Sequence, residues 1–258
     1  MPSPNRCPNC DSEAPAAFCP ACGQRQLGRL TIRSIGAELA SRLFSVERGK
    51  WQTLVTMTLR PGRATRDYLQ GRRARYVSPA LWYVLCAGAQ LLGVWLVRDH
   101  MTAVVTDPMP EPYFAWLERQ GVAEPRQWAA DRYIALIQNA YTWLGLLTFV
   151  PLMAAILRLV LWSRANFAEC FVIALHVVGH VMLLTAVTGQ LFVRVSPLLH
   201  GYVSYGIYIA YSILTLAGTF GWSVRSVLAG LLGVSIAGVA FTLSIATLTG
   251  YVLTHWIP

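Results

Sequence analysis

Hydrophobic positions form long, nearly unbroken stretches through the C-terminal two thirds of the chain, and polar positions fall between them. Each stretch has the roughly 20 apolar residues that a helix needs to cross the hydrocarbon core of a bilayer. The pattern predicts an all-α integral membrane protein with a five-helix transmembrane bundle over residues 79–258. The predicted spans are residues 79–97, 140–162, 167–193, 202–222 and 227–253.

Residues 29–78 have a different, interrupted pattern. Thr31 can cap a helix in which apolar residues recur at steps of three and four, and a second apolar stretch from Trp51 to Leu59 stops at Pro61-Gly62. This pattern predicts short juxtamembrane amphipathic helices that lie on the membrane rather than cross it. We therefore interpret residues 29–78 as a cytoplasmic-face adaptor.

The charge distribution predicts the orientation of the chain. Residues 1–78 hold 13 Lys/Arg and 5 Asp/Glu, whereas the remaining 180 residues hold 8 and 7. Basic segments stay in the cytoplasm, so we expect a cytoplasmic N-terminus and, after five spans, a periplasmic C-terminus. The polar segment 98–139 has more acidic than basic residues and suits the outer face. The first residues lack a short apolar core behind a basic start, so we expect no cleavable signal peptide.

Composition supports the membrane assignment, because only 13% of the residues are charged and 55% are hydrophobic. A typical soluble domain has about 25% charged residues. A cytoplasmic N-terminus also keeps thiols reduced, so that closely spaced cysteines there are better explained as metal ligands than as disulfides.

The strongest motif is a pair of C-x-x-C turns in residues 1–28. Cys7 and Cys10 are followed, after eight residues, by Cys19 and Cys22. Two such turns complete a tetrahedral site of four cysteine thiolates, which predicts a zinc ribbon with one structural Zn2+ whose binding supplies the folding energy. The ribbon has no basic–aromatic stripe, so a nucleic-acid partner is not favoured. We expect it to dock a protein partner or the protein's own membrane domain.

An arginine cluster lies in the second half of the adaptor, in a predicted short helix from Arg63 to Leu69 and on both sides of it. One interpretation is a positive-inside anchor whose side chains reach the phosphates of anionic lipids. The alternative is a specific lipid headgroup pocket. Its candidate residues are Arg60, Arg63, Arg66, Arg72, Arg73 and Arg75.

The third predicted span carries Glu169, His176 and His180. Steps of seven and eleven residues each return to within about 20° of the same helix face, so the three groups share a face. Ionisable groups in a span normally face the bundle interior and serve a function. They are candidate catalytic, metal-binding or proton-relay residues. Alternatively, Glu169 pairs with Arg164 or Arg158 and each imidazole hydrogen-bonds between helices. Glu169 lies too far from His176 to share one ion with it.

Several short motifs resemble those of an uncharacterised bacterial inner-membrane family, a domain of unknown function with a zinc ribbon ahead of several spans. They are FCPACGQ at the end of the ribbon, VERG at 46–49, TL…RPG at 58–62, DYLQGRRARY at 67–76 with Pro79 after it, and NFAECFVIALH at 166–176. In that family, an acidic residue followed by His stands at the start of the helix that contains the 166–176 motif. In this chain the acidic residue is Glu169, and Cys170 stands in place of the His. The resemblance implies a multi-pass inner-membrane protein and no particular activity.

Three functions remain open on these grounds. The first is a non-enzymatic scaffold, regulatory or assembly factor whose ribbon docks a partner. The second is an intramembrane enzyme acting on a lipid or prenyl phosphate, with His176 and His180 as metal ligands or as an acid–base pair. The third is a small proton- or ion-coupled transporter that uses Glu169 and both histidines.

Overall fold

The computed structural model of the chain describes residues 6–25, 29–36, 49–107, 109–136 and 142–255. The described part is mostly helical and contains no strands; two isolated bridges, Arg6–Glu13 and Phe18–Arg25, lie in the N-terminal module. The helices are α1 (Lys50–Leu59), α2 (Arg63–Leu69), α3 (Pro79–Leu96), α4 (Met101–Thr106), α5 (Glu111–Arg119), α6 (Pro125–Leu136), α7 (Val150–Val160), α8 (Phe167–Phe192), α9 (Pro197–Phe220) and α10 (Val224–His255). A π-helix, Gly145–Phe149, leads into α7.

Four helices are long and apolar enough to cross a membrane: Pro79–Leu96, Phe167–Phe192, Leu199–Phe220 and Val224–Ser244. The prediction of an all-α membrane protein is confirmed at this level. The remaining predicted span, residues 140–162, corresponds to a shorter apolar helix, Gly145–Val160. Part of that span lies in residues 137–141, outside the described residues, so a count of five spans stays a prediction.

Helix α8 is the centre of the bundle and packs against α3, α7 and α9. In its most apolar stretch 72% of the residues are buried, against 33% in each of the other three candidate spans. High hydropathy alone does not explain this position, because Val224–Ser244 is almost as apolar, with a mean hydropathy of 2.1 against 2.2, and is buried much less.

Helices α1 and α2 form a helical hairpin, residues 50–69, that packs into one end of this bundle. The Tyr211 hydroxyl of α9 donates a hydrogen bond of 3.0 Å to the Met57 carbonyl of α1. From α2, Arg66 Nε donates to the Thr219 carbonyl at 3.3 Å. The sequence pattern predicts that these helices lie on the membrane surface. The contacts place them against α8 and α9, where their polar side chains find partners, and their position relative to the membrane surface stays a prediction.

The first adaptor helix is described only at its start. The Thr31 hydroxyl accepts a hydrogen bond of 3.2 Å from the Ser34 amide, and residues 32–36 are helical, so the predicted cap is present. The rest of the helix predicted from Thr31 lies in residues 37–48, outside the described residues. Leu30 and Ile35 join Tyr68, Ala168 and Val172 in a small cluster that ties this segment to α2 and α8.

The connection at the opposite end of the bundle has a small core of its own. Phe114, Leu117 and Ala129 of α5 and α6 are buried together. This pairing explains how a polar segment between two apolar helices stays helical, since each helix covers the apolar face of the other. The N-terminal module and the hairpin lie at the other end, where α3 and α8 begin and α9 ends.

Candidate functional site

Two equivalent turns build the cysteine cluster. In the first, the Cys7 amide donates to the Ser12 carbonyl, and in the second the Cys19 amide donates to the Gln24 carbonyl, both at 2.9 Å. The second turn has Gly23 at φ 70°, a left-handed conformation that glycine adopts without a steric penalty. The C-x-x-C spacing thus folds each cysteine pair around one point.

The four Sγ atoms are spaced as a metal site requires. Cys7 and Cys22 are 3.7 Å apart, Cys10 and Cys19 are 3.6 Å apart, and all four ligand atoms lie within 4.8 Å of one another. A tetrahedral ion with metal–sulfur bonds of about 2.3 Å has sulfur–sulfur edges of about 3.8 Å. The cluster could therefore hold one metal ion with no position left open for a substrate.

Burial and hydrogen bonding shift the pKa values of the cluster's thiols in opposite directions. Burial raises the pKa of the Cys22 thiol to about 11, whereas the hydrogen bonds from Ser12 lower the pKa of Cys10. A thiolate at Cys22 is disfavoured on its own, because burial penalises the charged form. A coordinated cation would supply the compensating charge and keep the thiol deprotonated.

The cysteine module is docked on the loop that follows α2. Gln24 Oε1 accepts hydrogen bonds of 3.0 Å from the amides of Arg73 and Ala74, and its Nε2 donates to the Gly71 carbonyl at 2.7 Å. Pro8 packs on Gly71, where a Cβ atom would lie 3.1 Å from the proline ring. One buried glutamine side chain thus makes three hydrogen bonds across this contact. Sequence reasoning missed Gln24, although it closely follows the second cysteine turn.

The structure divides the arginine cluster into two groups. Arg66 binds backbone carbonyls of α9, as described above. Arg72 forms an ion pair of 3.0 Å with Asp67, and the buried Arg73 donates to the Tyr68 carbonyl and stacks over the Tyr68 ring. These three side chains thus each make contacts within the protein, and only Arg73 among them is buried.

The second group comprises Arg60, Arg63 and Arg75, whose side chains are exposed. Within the described part of the chain, none of these three side chains has a hydrogen-bond or ion-pair partner. Of the six candidate headgroup residues, these three are therefore the ones without a protein partner among the described residues, and the pocket itself stays a prediction.

Glu169 lies at the start of α8 and has two structural partners. It forms a capping box with Asn166: the Glu169 amide donates to Asn166 Oδ1 at 2.8 Å, and the Asn166 amide donates to Glu169 Oε2 at 2.7 Å. Arg29 binds both carboxylate oxygens, at 3.0 and 3.1 Å. The alternative that Glu169 forms an ion pair with an arginine therefore agrees with the structure, but the partner is Arg29 rather than Arg164 or Arg158. The N-x-x-E spacing could have identified the cap.

The two imidazoles lie deeper along α8, and both are buried, with exposed fractions of 1% for His176 and 0% for His180. His176 Nδ1 is 2.9 Å from the Thr65 hydroxyl, and His180 Nε2 is 3.2 Å from the Thr58 hydroxyl. Both threonines belong to the helical hairpin. The structure therefore brings the two histidines to the hairpin and leaves Glu169 at the helix start, about two turns from His176.

Two aromatic rings stack against the imidazole of His180. Its ring stacks with Trp82 at a centroid distance of 5.9 Å and with Tyr211 at 5.1 Å. The Thr58 hydroxyl donates to the Leu54 carbonyl at 2.8 Å, so the hydrogen bond to His180 must come from the imidazole Nε2–H. This leaves Nδ1 as the unprotonated nitrogen.

One nitrogen of each imidazole is buried without a hydrogen-bond partner among the described residues: His176 Nε2 and His180 Nδ1. A large apolar cavity of about 410 Å3 borders the same helix, but its walls include Val178 and Met182, which lie on the opposite face from the imidazoles. The histidines are therefore enclosed by side chains and do not line that cavity.

The stretch that forms the hairpin and the docking loop resembles a known family. Residues 47–89 match the family described as "Protein of unknown function (DUF3667)". The match includes Thr58, Thr65 and the three arginines of the second group. A family of unknown function agrees with the resemblance to an uncharacterised family that the short sequence motifs indicate. No curated protein and no solved structure matches the chain.

Proposed function

We propose that the protein is a non-enzymatic scaffold, regulatory or assembly factor of the bacterial inner membrane, with a zinc ribbon docked on its own membrane domain. The observation that carries this proposal is the Gln24 contact, which joins the cysteine turns to the loop after α2. A ribbon fixed in this way can transmit the presence of a partner or a metal to the helical hairpin. The N-terminus is cytoplasmic and the C-terminus periplasmic.

The enclosed histidines support a structural role over a catalytic one. A general base or a metal–water site must reach a substrate, and both imidazoles are packed between threonines and aromatic rings. Hydrogen bonds from histidine to threonine between helices are a common way to hold a membrane bundle together. Each histidine joins α8 to the hairpin that carries the docking loop.

Zinc is the metal that this ligand set favours, since four thiolates at C-x-x-C spacing form a closed tetrahedral site. Purified protein is expected to contain about one zinc per chain. The Cys19→Ser/Cys22→Ser variant should lose it, whereas Cys86→Ala/Cys170→Ala, which removes two buried thiols from the membrane helices, should keep it. Elemental analysis of both variants provides the measurement. Retention of zinc by the first variant would contradict the site.

The docking contact gives a direct test of the scaffold function. Gln24→Ala removes all three hydrogen bonds, whereas Gln24→Glu keeps an acceptor for the amides of Arg73 and Ala74. Trypsin should cleave the released loop at Arg72 or Arg73 at least tenfold faster in the alanine variant, because cleavage follows the population of the opened form and each hydrogen bond contributes about 1 kcal/mol. Zinc content should stay unchanged.

The same variants should then be used to capture partners from native membranes by chemical crosslinking. A scaffold whose docked ribbon forms part of the partner site should lose its partner in Gln24→Ala and retain it in Gln24→Glu. Identical crosslinked products from wild type and Gln24→Ala would contradict a role for the docked ribbon, since only the alanine variant separates the ribbon from the loop.

One observation favours a second candidate, the intramembrane enzyme. His176 and His180 are one turn apart on α8, and each keeps one buried nitrogen without a partner among the described residues while its other nitrogen binds a threonine. Metal-binding imidazoles are usually oriented by such a hydrogen bond. A second zinc equivalent that disappears in His176→Ala/His180→Ala would favour this candidate. No observation on the described residues favours the transporter.

A further inference from the structure

Two exposed arginines, Arg63 and Arg75, flank the hydrogen bond of the Tyr76 hydroxyl: Arg63 lies one turn before Asp67 on α2, and Arg75 directly precedes Tyr76. This hydroxyl donates a hydrogen bond of 2.8 Å to Asp67 Oδ2. Burial and the Asp67 carboxylate raise the pKa of Tyr76 to about 12, and the positive charges of Arg75 and Arg63 act in the opposite direction. The two arginines are 12 positions apart in the sequence, and the Tyr76–Asp67 hydrogen bond joins the segments that carry them.

The nearby acidic group is already occupied. Asp67 accepts the Tyr76 hydroxyl on Oδ2 and pairs with Arg72 through Oδ1. It therefore cannot neutralise Arg63 or Arg75 as well. Arg60 precedes Arg63 in the hairpin turn, where the Arg63 amide donates to the Arg60 carbonyl at 3.0 Å. Arg60, Arg63 and Arg75, here called the arginine patch, are three exposed cations on the two segments that the Tyr76–Asp67–Arg72 network joins.

Exposed tryptophans mark the same end of the bundle. Trp51, Trp162 and Trp222 are 75%, 67% and 72% exposed, and they stand at the start of α1 and just after α7 and α9. Tryptophan side chains concentrate at the level of lipid headgroups, because the ring is apolar and its N–H is polar. Leu59, next to Arg60, is also 73% exposed. Tryptophans at the level of the headgroups would put the arginine patch at the same depth, since both lie at one end of the bundle.

We propose that Arg63 and Arg75, flanked by Arg60, bind the phosphate of an anionic lipid headgroup. Guanidinium groups bind phosphate oxygens through paired N–H donors, and an anion would compensate charges that no described residue compensates. A soluble phosphate ester offers the same chemistry. The adjoining tryptophans and Leu59 favour the lipid, since an acyl chain can lie along them. This inference does not depend on the zinc or on a protein partner.

The test uses the detergent-solubilised full chain and three probes: dioctanoyl phosphatidic acid, dioctanoyl phosphatidylcholine and glycerol 3-phosphate. Native mass spectrometry or a thermal-shift titration gives the affinities. Phosphatidic acid should bind wild type more tightly than the other two probes. Arg63→Gln/Arg75→Gln should weaken its binding about tenfold or more, because each cation near an anionic headgroup contributes substantially to binding.

A matched control removes two arginines from the same end. In Arg164→Gln/Arg225→Gln the lost side chains are exposed and hydrogen-bond serines of neighbouring loops. This variant should bind phosphatidic acid within about twofold of wild type, since surface charge beyond the first contacts is largely screened. Equal losses in the two double variants would overturn the site, because they would show attraction by net charge alone.

Two further outcomes also decide the proposal. Arg63→Lys/Arg75→Lys keeps both charges but removes the paired donors, so an intermediate affinity is expected and full retention would contradict a built phosphate site. Glycerol 3-phosphate that binds as tightly as the lipid would overturn the lipid assignment in favour of a soluble phosphate ester. Thermal unfolding without added lipid should give the same midpoint for the wild type and the glutamine variant, which excludes loss through unfolding.

Discussion

Replacing Gly218 with valine is expected to prevent the helical hairpin from docking on α9 and to destabilise the protein by about 3 kcal/mol or more, the upper end for overpacked cores. A Cβ atom on Gly218 would collide with the Pro61 carbonyl oxygen and lie 3.0 Å from Gly62 Cα. Both neighbours are backbone atoms, which cannot rotate away. The thermal midpoint in detergent should fall accordingly, and the yield of folded protein with it.

The matched control is Gly88→Val in α3. Both glycines lie in helices able to cross a membrane, but a Cβ atom on Gly88 meets nothing within 4 Å. The change in helix propensity is the same in the two variants, so the difference between them measures the hairpin contact. A Gly218→Val protein as stable as Gly88→Val would show that the hairpin does not approach α9 as described.

The same contact can be tested from the other side. Gly62 has φ 87°, and a Cβ atom on it would collide with the Thr215 carbonyl oxygen and lie 2.7 Å from Gly218 Cα. Gly62→Ala therefore combines a backbone conformation that costs about 1–2 kcal/mol with a steric clash. The Pro61-Gly62 pair, which ends the apolar stretch in the sequence, therefore has two roles. Gly62 adopts the left-handed conformation of the turn, and it allows the close approach to α9.

The membrane helices were predictable because a span leaves a strong one-dimensional signal. About 20 apolar residues in succession suffice to indicate each of the four long helices. The cysteine cluster was predictable for a similar reason, since its ligands are fixed by local spacing. The cap at Thr31 was also predictable from local sequence. Each of these features depends on residues that are close together in the chain.

The position of the hairpin was not predictable in this way. Its amphipathic pattern is compatible with a membrane surface or with a groove between helices, and only the partners decide. Those partners are distant: Thr58 and His180 are 122 residues apart, and Arg29 and Glu169 are 140 apart. Polar groups in an apolar bundle pair with whichever donor or acceptor the packing brings near, so one-dimensional spacing cannot identify the pair.

The three titratable residues of α8 show the same limit. The helix period correctly placed Glu169, His176 and His180 on one face, but it could not show that this face is divided between two partners. Arg29 and the cap hold Glu169, whereas the hairpin holds both imidazoles. A shared face therefore does not imply a shared site. What it does explain is why the N-terminal segment and the hairpin both lie along α8.

Replacing His180 with alanine is expected to lower the free energy of unfolding by about 3 kcal/mol, as truncation of a buried ring does in well-packed cores. The alanine would leave a cavity between Trp82 and Tyr211 and remove the hydrogen bond to Thr58. His180→Phe refills the cavity and keeps the ring stack, so it should cost only about 1 kcal/mol for the lost hydrogen bond. Thermal unfolding in detergent measures both differences.

The phenylalanine variant also separates the two candidate functions. If the imidazole only packs, His180→Phe should retain zinc at about one per chain and the same crosslinked partner as the wild type, because fold and ribbon are intact. If the imidazole binds a metal or moves a proton, His180→Phe should lose function while its unfolding midpoint stays near that of the wild type. Loss of partner capture in a stable His180→Phe protein would therefore contradict the scaffold, since phenylalanine reproduces the shape of the ring and removes only its chemistry.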